Sequence, residues 1–328
     1  MIAIFGAGAI GCWVGGRLAA GGADVTLIGR PRVLDELHDG IRVTELGGRE
    51  HRAKPRLATD ARDARGADLV LVTVKSAQTA AAGAELARVL ADDAIVVSFQ
   101  NGVRNAEVLR TALAGRRVLA AMVPFNVIRS GPGTYHRASA GVLRIDDDPA
   151  AAPLLAACKA AELPIEPRTD MLAVQWAKLV MNLNNAINAL SGQPLATELA
   201  QRGFRRCLAA AQREALGLLE RAKQDVAKLT AIPPHWMPRL LEVPDPVFRL
   251  LGKRVVAIDP QARSSMWDDL EAKRPTEIDH LQGEVVALAE RLGASAPINR
   301  ALVRLIREAE AGGKRDFTAD ELVAALAL

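Results

Sequence analysis

The 328-residue sequence predicts an α/β fold: an N-terminal domain on a parallel sheet, followed by an all-α C-terminal domain. Three observations carry this. A short apolar run at the start ends in a glycine turn, further short apolar runs follow through the first half, and the second half has helical rather than strand periodicity. Ile2 to Phe5 is too short and too abruptly stopped for a helix and reads as a buried parallel strand. The turn Gly6-Ala7-Gly8-Ala9-Ile10-Gly11 then opens a helix. Gly6 permits the tight turn, Gly8 removes the Cβ that would hold a pyrophosphate off the backbone, and Gly11 lets the helix sit close on the sheet. Strand, glycine turn and helix in this order form the fingerprint of a Rossmann-type dinucleotide site. The helix N-terminus, with Ala9 and Ile10, offers unpaired N–H groups to the phosphates.

The second strand, Asp24 to Gly29, follows the Gly21-Gly22 helix stop, and its end is where an adenosine ribose would lie. An NAD site wants a carboxylate there. This chain offers Arg30, with Arg32 beyond, and a guanidinium binds a 2′-phosphate, so the expected cofactor is NADP(H). A helix-like stretch and a polar segment lead to a third buried strand, Asp68 to Val74, with Lys75 at its carboxyl end. There it either touches the cofactor or is a solvated strand cap. The next strand, Ala94 to Phe99, ends in Gln100-Asn101-Gly102. Asn-Gly is a turn signal, and at a carboxyl end Asn101 could donate its amide to substrate or to the cofactor ribose. Val118 to Val127, Thr134 to Ala138 and Gly141 to Ile145 read as antiparallel strands finishing the sheet, with His136 as a structural strand residue. A helix at Ala150 to Ala161 precedes Pro164 and Pro167, read as the linker. The expected domains are 1–168 and 169–328.

Composition narrows the class. Forty-two basic and 38 acidic residues are scattered rather than gathered, and aromatics make up 3%, which argues against nucleic acid as partner. Three widely spaced cysteines, Cys12, Cys158 and Cys207, imply reduced thiols, no structural zinc and a cytoplasmic setting. Cys12 is read as a packing residue rather than a redox thiol. No basic n-region precedes the first strand, and no apolar run reaches 18 residues, so neither a signal peptide nor a membrane span is expected.

In the second half, Asp170 to Leu190 reads as one helix. At about 100° per residue, Lys178, Asn182 and Asn185 fall within roughly 60° of one another, while Asn184 lies about 120° from Lys178. Leu179, Leu183, Ala186 and Leu190 would pack inward. Asparagine is a mediocre helix former, so this polar stripe is better explained by a site than by a solvated face. A second amphipathic helix, Gln201 to Lys223, has Phe204, Leu208 and Leu219 as core. The proline-punctuated stretch 225–260 reads as a lid, a subunit contact in a homodimer, or a long connection, with Trp236 an interface anchor or a core residue. Ser265, with Asp268 three residues on, reads as a helix N-cap. Thr276-Glu277-Ile-Asp279 reads as a helix restart that places Glu277 in a first turn.

Taken in order, GAGAIG, Val74-Lys75, Gln100-Asn101-Gly102, Trp176-Ala-Lys178-Leu with Asn182, and Ser264-Ser265-Met through Arg274-Pro-Thr-Glu277-Ile-Asp resemble the ketopantoate reductase (2-dehydropantoate 2-reductase) family over almost the whole chain. The resemblance implies an N-terminal Rossmann domain holding NADPH, an all-helical domain, and reduction of a small 2-oxo acid without a metal. It implies Lys178 as catalytic lysine and Glu277 as its partner carboxylate. Asn182, Asn185 and Ser265 would bind substrate, and Arg30, Lys75 and Asn101 would lie on the cofactor side. Two positions depart from the family pattern. Ala186 stands where the second asparagine normally falls, so that Asn185 or Asn184 must substitute, and Ala262 stands where some members have a further polar contact.

Overall fold

The computed structural model describes residues 1–248, 250 and 262–328; the later part of the proline-punctuated stretch, through position 260, lies outside them. The chain divides into two compact units, Met1–Met171 and Leu172–Leu328. In the first, an eight-stranded sheet runs in the order β12-β11-β8-β7-β6-β1-β2-β5. Its strands are β1 (Ile2–Phe5), β2 (Val25–Ile28), β5 (Arg56–Ala58), β6 (Leu69–Val72), β7 (Ile95–Ser98), β8 (Arg117–Met122), β11 (Leu143–Asp146) and β12 (Ile165–Arg168). From β5 across to β8 every pairing is parallel. The four residues of β1, β2 and β6 are buried throughout, as strands covered on both faces must be. One face packs Trp13, Leu18 and Leu27 and the other Leu86, Leu109 and Val96, giving a core on each side.

Three expectations need correction. Residues 31–66 hold strands as well as a short helix: β3 (Ile41–Thr44) and β4 (Glu50–Ala53) join β9 (Val127–Gly131) and β10 (Thr134–Arg137) in a separate four-stranded sheet, β4-β3-β10-β9. The expected antiparallel finish is therefore divided. β8 continues the parallel sheet, β9 and β10 leave it, and only β11 returns antiparallel against β8. Pro167 lies within β12, paired with β11, and Pro164 immediately precedes that strand, so the segment is sheet rather than a linker. Pro167 is tolerated because β12 is an edge strand. His136 bonds through Nδ1 to Thr44 Oγ1 at 2.7 Å, joining β10 to β3.

The second unit is helical, and the fold class is the one the sequence predicts. With α1 (Ala9–Ala20), α2 (Pro31–Leu34), α3 (Thr79–Ala87), α4 (Asn105–Ala112) and α5 (Ala152–Ala160) in the first unit, the second begins with α6 (Met171–Asn182), whose first residue closes unit one. α7 (Asn184–Ser191), α8 (Leu195–Leu199) and the long α9 (Arg202–Arg221) follow. Phe204, Leu208 and Leu219 are buried along α9. Trp236 is half-exposed, and all three cysteines are free and buried. Burial pushes the Cys12 thiol up to about 12, which removes it from thiolate chemistry. Among the described residues no helix is long and apolar enough to cross a membrane, and no group of three or more His, Cys, Asp or Glu could hold a metal ion.

Candidate functional site

In the first unit β1 sits between β2 and β6, so the strand order reverses direction beside it, at the edge where open α/β sheets bind ligands. Gly6 has φ +118°, a conformation that favours glycine, and a Cβ there would meet Val74 N at 2.8 Å. Thr73 Oγ1 donates to Gly6 O at 2.6 Å, and Gly6 N and Ala7 N both donate to Ile28 O. The turn is thus clamped between the ends of β2 and β6. A Cβ on Gly11 would strike Gly6 O and come within 2.5 Å of Thr73 Oγ1, the close helix–sheet approach that position requires. Gly8 differs: it is exposed and a Cβ there would meet nothing within 4 Å. It is the N-cap of α1 and no side chain caps the helix, while Ala9 and Ile10 remain partly exposed. A pyrophosphate needs that open backbone and those N–H groups, so the residues present fit a dinucleotide.

The other cofactor-side candidates lie at neighbouring carboxyl ends. Arg30 is exposed two residues past β2, and Lys75 is exposed three residues past β6. Asn101 is partly buried three residues past β7. A buried network that the sequence reading missed ties the last two loops together. Gln100 Nε2 donates to Val74 O (3.1 Å) and Thr79 Oγ1 (2.7 Å), and Thr79 Oγ1 donates to Asn105 Oδ1 (2.7 Å). Asn105 Nδ2 donates to Ser76 Oγ at 3.1 Å, and Ser76 Oγ to Asn101 O at 3.1 Å. Uncharged amides and hydroxyls immediately after two strands were the available signal.

The second unit brings together segments about 80 to 100 residues apart. The expected single helix is broken: α6 ends at Asn182, Leu183 is a turn, and α7 starts at Asn184. Buried glutamine amides hold the break from two directions. Gln212 Nε2 on α9 donates to Val180 O at 3.2 Å, and Gln282 Nε2 donates to Leu183 O at 2.8 Å. A helix interruption whose carbonyls are satisfied by buried side chains is a built feature rather than fraying. Lys178, Asn182 and Asn185 are partly exposed, whereas Leu179, Leu183, Ala186 and Leu190 are buried. Asn184 is buried and donates through Nδ2 to Glu198 Oε2 at 3.3 Å. Of the two asparagines left open by the sequence, Asn185 therefore has the accessible side chain and Asn184 a structural bond.

Desolvation lowers the Lys178 ammonium from the ordinary lysine value to about 8. Ser264, not Ser265, caps the following helix: its Oγ accepts from Trp267 N at 3.1 Å and donates to Asn185 O at 3.1 Å. Ser265 is accordingly the first residue of the helix Ser265–Glu271, partly exposed beside the asparagine stretch. The expected restart at Thr276 is a single 3-10 turn, Ile278–His280, and the α-helix begins only at Gln282. Glu277 precedes that turn with 8% exposure, outside the first turn of any α-helix. The helix that follows this turn reaches the break through its first residue, Gln282.

The sequence matches the family described as "Ketopantoate reductase PanE/ApbA" over residues 2–149 and its C-terminal counterpart over residues 170–310. It is 30% identical to the 2-dehydropantoate 2-reductase of Halobacterium salinarum, over 95% of this chain and 99% of that one. A PanE/ApbA family ketopantoate reductase from Ralstonia eutropha superposes with a TM-score of 0.81 at 31% identity, covering 95% of this chain and 98% of that one. D-mandelate dehydrogenase, solved with NADH and anilino(oxo)acetate, superposes with a TM-score of 0.80 at 18% identity over 95% and 98% of the two chains, a likeness of fold. Two family matches that between them span most of the sequence, and a relative similar from end to end, show that the chain belongs to the ketopantoate reductase family.

Proposed function

We propose that the protein is an NADPH-dependent 2-dehydropantoate 2-reductase, reducing the C2 carbonyl of ketopantoate to the hydroxyl of pantoate with Lys178 as general acid. The observation that carries the reading is Lys178 itself: a partly buried lysine on α6 with Asn182 at the end of the same helix and Asn185 just past the break, in a member of a reductase family. NADPH, when bound, supplies the hydride. The glycine turn would hold its pyrophosphate and Arg30 its 2′-phosphate, with Lys75 and Asn101 contributing from the adjoining strand ends. Hydride arrival at C2 leaves negative charge on the former carbonyl oxygen, which Lys178 stabilises as an ammonium and then protonates. A value near 8 suits that task, because the group is mostly protonated at neutral pH yet gives up its proton more readily than an ordinary lysine. Glu277 orients Lys178. Asn182, Asn185 and Ser265 donate to the substrate carboxylate and distal hydroxyl. NADPH oxidation followed at about 340 nm with ketopantoate against other branched and straight 2-oxo acids tests the assignment. Turnover with none of them sinks it, and a strong preference for another oxo acid moves the substrate while keeping the chemistry.

A further inference from the structure

Glu198 lies on α8, outside every motif of the sequence, and is completely buried. Its Oε2 accepts from Asn188 Nδ2 at 2.8 Å and from Asn184 Nδ2 at 3.3 Å, both buried amides of α7. Asn188 passes the constraint on: its Oδ1 accepts from Ser264 N at 2.8 Å, and Ser264 Oγ donates to Asn185 O at 3.1 Å. One carboxyl group therefore anchors α7, and through Asn188 the N-terminus of the helix that carries Ser265.

We propose that Glu198 is a positioning residue for 2-oxo acid binding: as a neutral carboxylic acid beneath α7 it fixes, through Asn188 and Ser264, the placement of Asn185 and Ser265. This rests on the substrate roles given above to Asn185 and Ser265. Two atoms point to the neutral form independently of any titration. Glu198 Oε1 and Asn184 Oδ1 are both buried oxygens without a hydrogen-bond partner, on side chains joined through Asn184 Nδ2 and Glu198 Oε2, and a carboxylate would leave Oε1 a bare buried acceptor where a carboxylic acid makes it a donor. Burial also pushes the Glu198 carboxyl up to about 8, against the opposing pull of the two asparagine amides. A neutral acid has a functional advantage over a carboxylate here, because it adds no negative charge under a face that would receive an anionic substrate.

Full-length Glu198→Ala and Glu198→Gln enzymes, assayed for kcat and for the KM values of oxo acid and NADPH, test this. The alanine variant should raise the oxo acid KM by about tenfold or more, the scale on which a displaced binding group is felt, with the NADPH KM unchanged. Glutamine, an uncharged isostere, should recover most of that loss. An alanine variant with the wild-type oxo acid KM overturns the proposal, as does a loss that falls equally on both KM values. If the alanine protein does not fold, Glu198→Asp, one methylene short of both asparagines, is held to the same outcomes. Wild-type enzyme inactive on every oxo acid would instead overturn the assignment of function, so the two failures are distinguishable.

Discussion

The proton on Lys178 makes a quantitative demand on the pH profile. With a value of about 8 the side chain is about 90% ammonium at pH 7, half at pH 8 and about 10% at pH 9. If it is the general acid, kcat/KM for the oxo acid, which follows the protein before that substrate binds, should be flat below about pH 7 and fall about tenfold per pH unit above 8. An ordinary lysine would put that break near 10.5, more than two units higher. The assay is steady-state NADPH oxidation from pH 6 to 10, repeated in Glu198→Gln so that the second buried group near this range is removed. Lys178→Ala should lower kcat by about 10²–10⁴ and lose the alkaline limb, equivalent to about 3–5 kcal/mol of transition-state stabilisation. A profile that stays level to pH 9.5, or an alanine variant that keeps both its rate and its limb, would refute the role.

The glycine turn separates folding from binding. Gly8→Ala should fold normally, since its Cβ enters open space, yet raise the NADPH KM by about tenfold or more. Gly11→Ala should cost about 2–3 kcal/mol in urea unfolding, because its Cβ is driven into the Gly6 carbonyl and Thr73. Arg30→Ala should weaken NADPH by about tenfold and leave NADH nearly untouched, so that equal losses for both cofactors would remove Arg30 from 2′-phosphate recognition. Stability should respond to Glu198. Its folded value is raised from 4.5 to about 8, so the native state holds an extra proton across that window and loses stability as pH rises through it. Its titratable neighbour Cys207 stays protonated there, held up to about 12. The melting temperature of Glu198→Gln should therefore gain on wild type between pH 5 and 8.5, and parallel curves would count against the buried acid.

Local patterns were legible in the sequence; long-range rescue was not. The glycine turn, the buried strands β1, β2 and β6 and the inward face of α6 and α7 follow from spacing within a few residues. The small second sheet did not, because Ile41–Thr44 becomes a strand through a partner at Thr134–Arg137. The break at Leu183 was equally hidden: nothing near it says that a glutamine 99 residues on will take its carbonyl. Ser264 and Ser265 are identical letters side by side, and only the backbone decides which caps. Glu198 resembles an ordinary first-turn acid until its complete burial is seen.

The hydrogen bonds that link Gln100, Thr79, Asn105 and Ser76 join uncharged amides and hydroxyls. Those bonds do not themselves titrate, so the loops they join should keep their spacing over the pH range that titrates Lys178 and Glu198. Dinucleotide affinity above neutral pH should then be nearly constant while turnover is not. The protein would keep its reductant in place while its proton supply fails.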